Sequence, residues 1–503
     1  MKFNYNVNHK ISRGAWCAVV EKGKAVINVE IGLAVEHTSD FFVQGVWDGE
    51  FSDGDFMSAH FSCCTGANVN KSKQGCVIFS TPNHLLETLY SVQIGSLLYI
   101  SNSSAFVLER SGSALDVNYP DYQLDMCSSI FGVKKQIKSS PLLGGRRINY
   151  YRCCNFEIDS SLNISVSFKD SGLSFTNYAD YYLKIQDVIK GLYDNAESKS
   201  RKIRYSSIST ISRGYDAVAT SVLAHQQGCD KVITFNYPEK YIGDCGEDIA
   251  KCIGFSNIYL CDADKYRDQN DFIEAECMSS GDVGSSIIFA SHKDLFKNSM
   301  VMMGIRGDSL WERNHVNVND DQDFTAGNTL QQTDHIFVES CLDVNAVCIP
   351  LPMIGADRWA DIARISQSDE MKKYSLRESY DRPIPRRIAE DYGVPRDWFG
   401  LEKAGAGISY HFDSFNRIIR KMSETSAKSL QKFKKNHKHS AYSIIKQSLK
   451  FYGSEMPVYL NYLSSKLHIG INFSKRTSYV SSPLSSLLIN WSINTMRIKY
   501  KSE

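Results

Sequence analysis

Ser206 to Gly228 reads SSISTISRGYDAVATSVLAHQQG. A β-branched run, Ser206 to Ile211, meets the tight turn Ser212-Arg213-Gly214-Tyr215-Asp216, and Val218, Val222 and Leu223 then recur at helical spacing. Strand, glycine-containing loop and helix in that order point backbone N–H groups and the positive end of a helix at one spot, which suits a phosphate or pyrophosphate. Glycine turns of this kind also serve packing alone in many α/β crossovers. What the stretch means therefore depends on the rest of the chain.

Downstream, Lys231 to Asn236 (KVITFN) is a second short apolar strand. Asp244 to Ile253 (DCGEDIAKCI) is a helix with acidic residues in its first turn, where they complement the helix dipole. Asn257 to Cys261 (NIYLC) is a third strand, and Ser299 to Ile305 (SMVMMGI) a fourth that runs into Arg306-Gly307-Asp308-Ser309-Leu310. This alternation implies a parallel sheet of right-handed crossovers with ligand outside the carboxyl ends of the strands. Ser212 and Asp216 would then sit at that rim.

Upstream, Ala15 to Asp159 is a series of short alternating or apolar runs (AWCAVV, AVINVEI, FFVQGVW, CVIFS, SLLYIS) broken by Gly, Asn, Asp and Ser. Such spacing predicts β-sheets packed face to face, with a helical patch at His84 to Val92. Ser160 to Thr176 reads as a linker. From Asn177 the period changes, and Tyr182, Ile185, Val188, Ile189 and Leu192 fall on one helical face. We expect two domains, 1–170 and 171–503. Beyond Asp413 the chain is rich in Lys and Ser, with an amphipathic stretch at Ser443 to Phe451. The basic run KFKKNHKH, Lys432 to His439, suits a solvated helix end or loop, and the short apolar segment Ser482 to Ile493 suits packing on a core or a partner.

At 503 residues the chain is too long for one core, since domains average about 150 residues. Its 57 Lys+Arg against 56 Asp+Glu leave a formal charge of +1, so no global field recruits nucleic acid or an acidic membrane. Met1 to Lys10 is polar, and no apolar run approaches the roughly 18 residues of a membrane helix, so we expect a cytoplasmic protein without membrane partners. The 14 cysteines lack C-x-x-C pairs, which counts against a zinc site, a disulfide scaffold and sulfur-transfer chemistry.

Ser212, Gly214 and Asp216 match the pyrophosphate loop Ser-Gly-Gly-x-Asp-Ser, with Arg213 and Ala217 in place of Gly and Ser; Gly304, Gly307, Asp308 and Leu310 match a second segment, Gly-x-Gly-x-Asp-Glu-Leu. Lys373 to Gly407 follows a closing signature with a Leu-Arg helix, a Pro-containing turn and a lysine, Lys403, shortly before a Gly-rich segment. Earlier, Leu97, Leu98, Ser101, Ala105, Leu143 and Gly145 match the strand, turn and exit of a glutaminase domain. With these features the chain resembles the asparagine-synthetase-like branch of the ATP-pyrophosphatase (PP-loop) family.

The resemblance implies an α+β N-terminal domain of Ntn-hydrolase-like sheet layers, then an α/β domain with a central parallel sheet and a helical C-terminal part. It implies ATP and Mg²⁺ as cofactors, with Ser212, Arg213, Gly214, Tyr215, Asp216 and Gly307 on ATP and pyrophosphate. Asp216 and Asp308 would bridge the metal, and Lys403 would be the catalytic residue that steadies charge on the α-phosphate. Arg213, where the family has Gly, could contact pyrophosphate or obstruct the loop. Active relatives use a cysteine at position two, which is Lys2 here. The glutaminase-like domain is then degenerate, as in β-lactam synthetases and lasso-peptide cyclases. The implied reaction is adenylation of a small-molecule or peptide carboxylate and transfer of its acyl group to an amine donor, with a homo-oligomer left open. The alternative is a non-catalytic nucleotide-binding protein that acts by interaction.

Overall fold

The computed structural model describes residues 1–501 apart from 71, 74, 237–243, 314–336, 377–379, 402–406, 409, 411–412, 438–448 and 450–483. The first part of the chain forms β1 (Lys2–Val7), β2 (Trp16–Glu21), β3 (Val26–Ile31), β4 (Glu36–His37), β5 (Phe41–Trp47), β6 (Ser62–Val69), β7 (Cys76–Ser80), β8 (Leu89–Ile94) and β9 (Leu97–Ser101). After helix α1 (Ser104–Arg110) come β10 (Ser139–Pro141), β11 (Arg147–Tyr151), β12 (Cys154–Asp159) and β13 (Ile164–Phe168). These strands make two sheets, in the orders β1-β3-β2-β9-β8-β11-β10 and β13-β12-β7-β6-β5-β4. Only the β1/β3 pairing in them is parallel.

Alternation explains how the two sheets meet. Ile27, Val29 and Ile31 of β3 are buried while Asn28 is exposed, and the apolar faces of both sheets share one core with Trp16, Phe42, Val77, Phe79 and Phe156. The Trp16 ring lies 4.9 Å from that of Phe42 and 6.1 Å from that of Phe79. Two sequence expectations need correction. His84 to Val92 holds no helix: Leu89–Ile94 is β8, paired on both sides with β9 and β11. Its first four residues are all buried, so the period of two is hidden. The expected linker Ser160 to Thr176 contains β13, an edge strand on β12.

The second part opens with α2 (Tyr178–Glu197), whose side-chain cap is Asn177, and then alternates β14 (Ser206–Thr210), α3 (Tyr215–Gln226), β15 (Lys231–Asn236), α4 (Glu247–Ile253) and β16 (Asn257–Asp262). It continues through α5 (Ile273–Met278), β17 (Ser299–Met303), α6 (Val338–Val344) and β18 (Val347–Pro350). The resulting sheet is parallel throughout, in the order β16-β15-β14-β17-β18. The chain thus builds outward from β14 on one side, then returns to place β17 and β18 on the other. Between β14 and β17 the strand order reverses.

The helices that follow include α7 (Pro383–Tyr392), α8 (Glu424–Asn436) and α9 (Ser485–Met496). The last is the apolar segment near the C-terminus, and it packs on both parts of the molecule. Leu487, Leu488 and Trp491 join the core of α5, while Ile489 and Ile493 join Tyr90, Leu108 and Tyr150. The basic run is helical as far as Asn436; the stretch expected at Ser443 to Phe451 falls, apart from Leu449, outside the described residues. No helix among the described residues is long and apolar enough to cross a membrane.

Candidate functional site

The site is built where two strand ends meet. Beyond β14, the Ile211 N–H still donates to the Ile233 carbonyl at 3.0 Å, and Ser212 makes an isolated bridge with Cys245. The Gly214 N–H donates to Ser212 Oγ at 3.1 Å, and the Arg213 N–H donates to the backbone oxygen and Oδ1 of Asp244, both at 3.3 Å. The loop is thereby held against the start of the next crossover. Gly214 is the N-cap of α3 with extended backbone (φ −75°, ψ 147°) and no side chain to cap the first turn. A Cβ at this position would meet only Ser212 Oγ, at 3.4 Å. Neither strain nor crowding demands glycine here; its effect is an open N-terminus on a 12-residue helix, where uncapped N–H groups and the helix dipole favour an anion.

Asp216 lies in the first turn of α3, and the segment after β17 packs directly on it. A Cβ on Gly304 would come within 2.6 Å of the Asp216 carbonyl carbon, and one on Gly307 within 2.4 Å of its carboxylate carbon. Asp308, half-buried, follows in the short helix Gly307–Leu310. Between the glycines Arg306 adopts left-handed backbone (φ 72°), a conformation that costs a non-glycine residue about 1–2 kcal/mol. Its side chain is buried, and burial lowers its pKa while the Asp308 carboxylate acts in the opposite direction.

A third segment supplies a cation that the sequence did not announce. Arg382, 3% exposed, places Nη1 2.5 Å from Asp216 Oδ2 and Nε 3.9 Å from the Glu312 carboxylate. Its guanidinium carbon lies 4.9 Å from the centre of the Tyr380 ring. Burial works against the charge of Arg382, but Asp216, Tyr380, Asp308 and Glu312 outweigh it and hold its pKa above the usual arginine value. Arg382 precedes Pro383, which opens α7 instead of forming the expected turn, because proline at the first helical position loses no hydrogen bond. The Arg-Pro helix start is legible in the sequence, but the pairing of Arg382 with Asp216 is made only by the fold.

The remaining site residues divide between rim and core. The Arg213 guanidinium bends away to Asp248 (2.5 Å) and to the Trp398 carbonyl (2.9 Å), so it neither enters nor blocks the loop. Tyr215 is wholly buried: its hydroxyl accepts from Arg386 at 2.9 Å, and its ring packs on Tyr380 and Phe399. Its backbone is all it can present to a ligand. Lys403 lies outside the described residues. The structure thus brings Ser212, Gly214, Asp216, Gly307 and Asp308 to one rim and adds Arg382.

The arrangement does not fit a divalent cation shared by Asp216 and Asp308. One Asp216 oxygen already faces a buried guanidinium, and Gly307 closes on the same carboxylate. Among the described residues, no group of three or more His, Cys, Asp or Glu side chains is placed to hold a metal. A cavity of about 360 Å³ elsewhere is lined by Glu276, Lys293, Asp343 and Lys499. Its charges pair with one another at 2.8–2.9 Å, as a structural ion cluster would. Neither a family model nor a curated protein matches the sequence.

Proposed function

We propose that the chain binds ATP at this rim and is an ATP-dependent carbon–nitrogen ligase. The observation that supports this reading is the meeting of the Ser212–Asp216 and Gly304–Asp308 loops at the point where the strand order reverses. In open α/β sheets that is where nucleotides bind. A carboxylate oxygen of the acid substrate attacks the α-phosphorus, the bond to the β-phosphate oxygen breaks, and pyrophosphate leaves toward the open first turn of α3. The amine nitrogen then attacks the acyl carbon, AMP departs with the C–O electron pair, and the nitrogen gives up its proton. The protein contributes positioning and pre-set dipoles. In the family resemblance Lys403 would meet the charge that develops on the α-phosphate.

We read the two N-terminal sheets as a degenerate glutaminase-like layer. Cys17, the first cysteine, is buried near the start of β2, and that burial pushes its thiol well above the ordinary range. Such a thiol does not serve as a nucleophile, which supports an amine drawn from a second substrate or from the adenylated molecule itself. A second reading, nucleotide binding without turnover, is favoured by the Asp216–Arg382 ion pair.

ATP–pyrophosphate exchange across amino acids, uronic acids and short peptides separates the two. The first reading predicts exchange with one class of acid and none without it. Bound ATP without exchange for any acid would favour the second.

A further inference from the structure

A carboxylate in the first turn of a phosphate-binding helix repels the ligand that the helix attracts, unless a cation offsets it. We propose that Arg382 is that cation: the Asp216–Arg382 pair is a built-in counter-charge that lets this rim bind the phosphate chain of a nucleotide without a divalent metal. The inference rests on the nucleotide reading above and deepens it. Arg382 is fixed in place from several sides. Nη1 is on Asp216 at 2.5 Å, the Tyr380 ring lies against the guanidinium, and Pro383 at the start of α7 restricts the Arg382 backbone. Its buried Nε makes no hydrogen bond among the described residues, and the Glu312 carboxylate lies 3.9 Å from it. One guanidinium therefore stands among Asp216, Asp308 and Glu312 with donor capacity left over, and it stays charged at every accessible pH. Gly307, pressed on the Asp216 carboxylate, prevents that group from swinging away to another partner.

The test is an equilibrium titration of the full chain with ATP, once with excess Mg²⁺ and once with excess EDTA. The dissociation constants should agree within about threefold for the wild type and for Arg382→Lys. Arg382→Gln should bind about tenfold or more weakly in EDTA and recover with Mg²⁺, which could then reach the freed carboxylate. Wild-type binding that weakens about tenfold or more in EDTA would overturn the inference and leave the nucleotide site standing. Absence of ATP binding in both buffers would overturn the nucleotide reading itself. If Arg382→Gln fails to fold, the wild type and Arg382→Lys still decide the matter.

Discussion

Asp216 and Asp308 belong to motifs that are local in sequence, and so do Ser212, Gly214 and Gly307; each could be picked out from its neighbours. Arg382 could not, because its partner lies 166 residues away and only the fold joins them. Tyr215 shows the opposite failure. It stands inside the loop motif, yet the turn of α3 directs its side chain into the core, which loop spacing does not reveal. A prediction at this scale concerns Asp125, buried beside the hydroxyls of Ser140 (2.5 Å) and Tyr119 (2.8 Å). Burial raises its pKa to about 6 despite those hydrogen bonds. In the unfolded chain the group ionises near 4. Between the two values the folded state binds more protons, so this contribution is full below pH ~4 and is lost as pH rises through ~6. Asp125→Asn cannot ionise, and its melting temperature should gain on the wild type between pH 4 and 7. A constant difference across that range would refute the assignment.

At the scale of elements, β15 to β17 were legible as short apolar runs bounded by Gly, Asn or Asp, β14 as a run leading into the Ser212–Asp216 turn, and alternation with helices implied parallel pairing. β8 and β13 were misread for opposite reasons. The first is buried on both faces and loses its alternation, whereas the second is an exposed edge strand and reads as linker. Gly355 has left-handed backbone (φ 69°), and a Cβ would approach the Phe175 ring within 2.4 Å, so local packing accounts for the glycine. The contact between the β17 loop and α3 gives a prediction here. In Gly307→Ala the new methyl group meets the Asp216 carboxylate and must push loop and helix apart. Overpacking of this kind costs about 1–3 kcal/mol. A lower melting temperature and about tenfold weaker ATP binding should appear together; unchanged binding would show that the two loops do not form one site.

For the whole molecule, the C-terminal helix α9 and the turn that follows it, Arg497–Tyr500, join the parts. Arg497 pairs with Glu109 at 2.8 Å, the Tyr500 hydroxyl donates to Glu339 at 2.6 Å, and the Tyr500 ring stacks on Phe106 at 4.5 Å. Sequence showed that Ser482 to Ile493 had to be covered but not by what, since a helix apolar on nearly every side carries no directional stripe. Trp491 is 1% exposed and its indole N–H donates to Ser429 at 3.0 Å. Trp491→Ala should cost about 3–5 kcal/mol, read as a shift in the urea midpoint. A shift within error would mean that α9 is not part of the core.

The central claim, that the open end of α3 receives the phosphates of ATP, is tested most directly by titrating ATP into Gly214→Asp beside the wild type. Aspartate is a favoured residue at an extended N-cap, so the fold should hold or gain a few tenths of a kcal/mol. The same carboxylate would cap the first-turn N–H groups and repel phosphate. The account predicts an unchanged or slightly higher melting temperature together with ATP affinity lowered about tenfold or more. Equal ATP affinity in the two proteins, or none in the wild type, would contradict it.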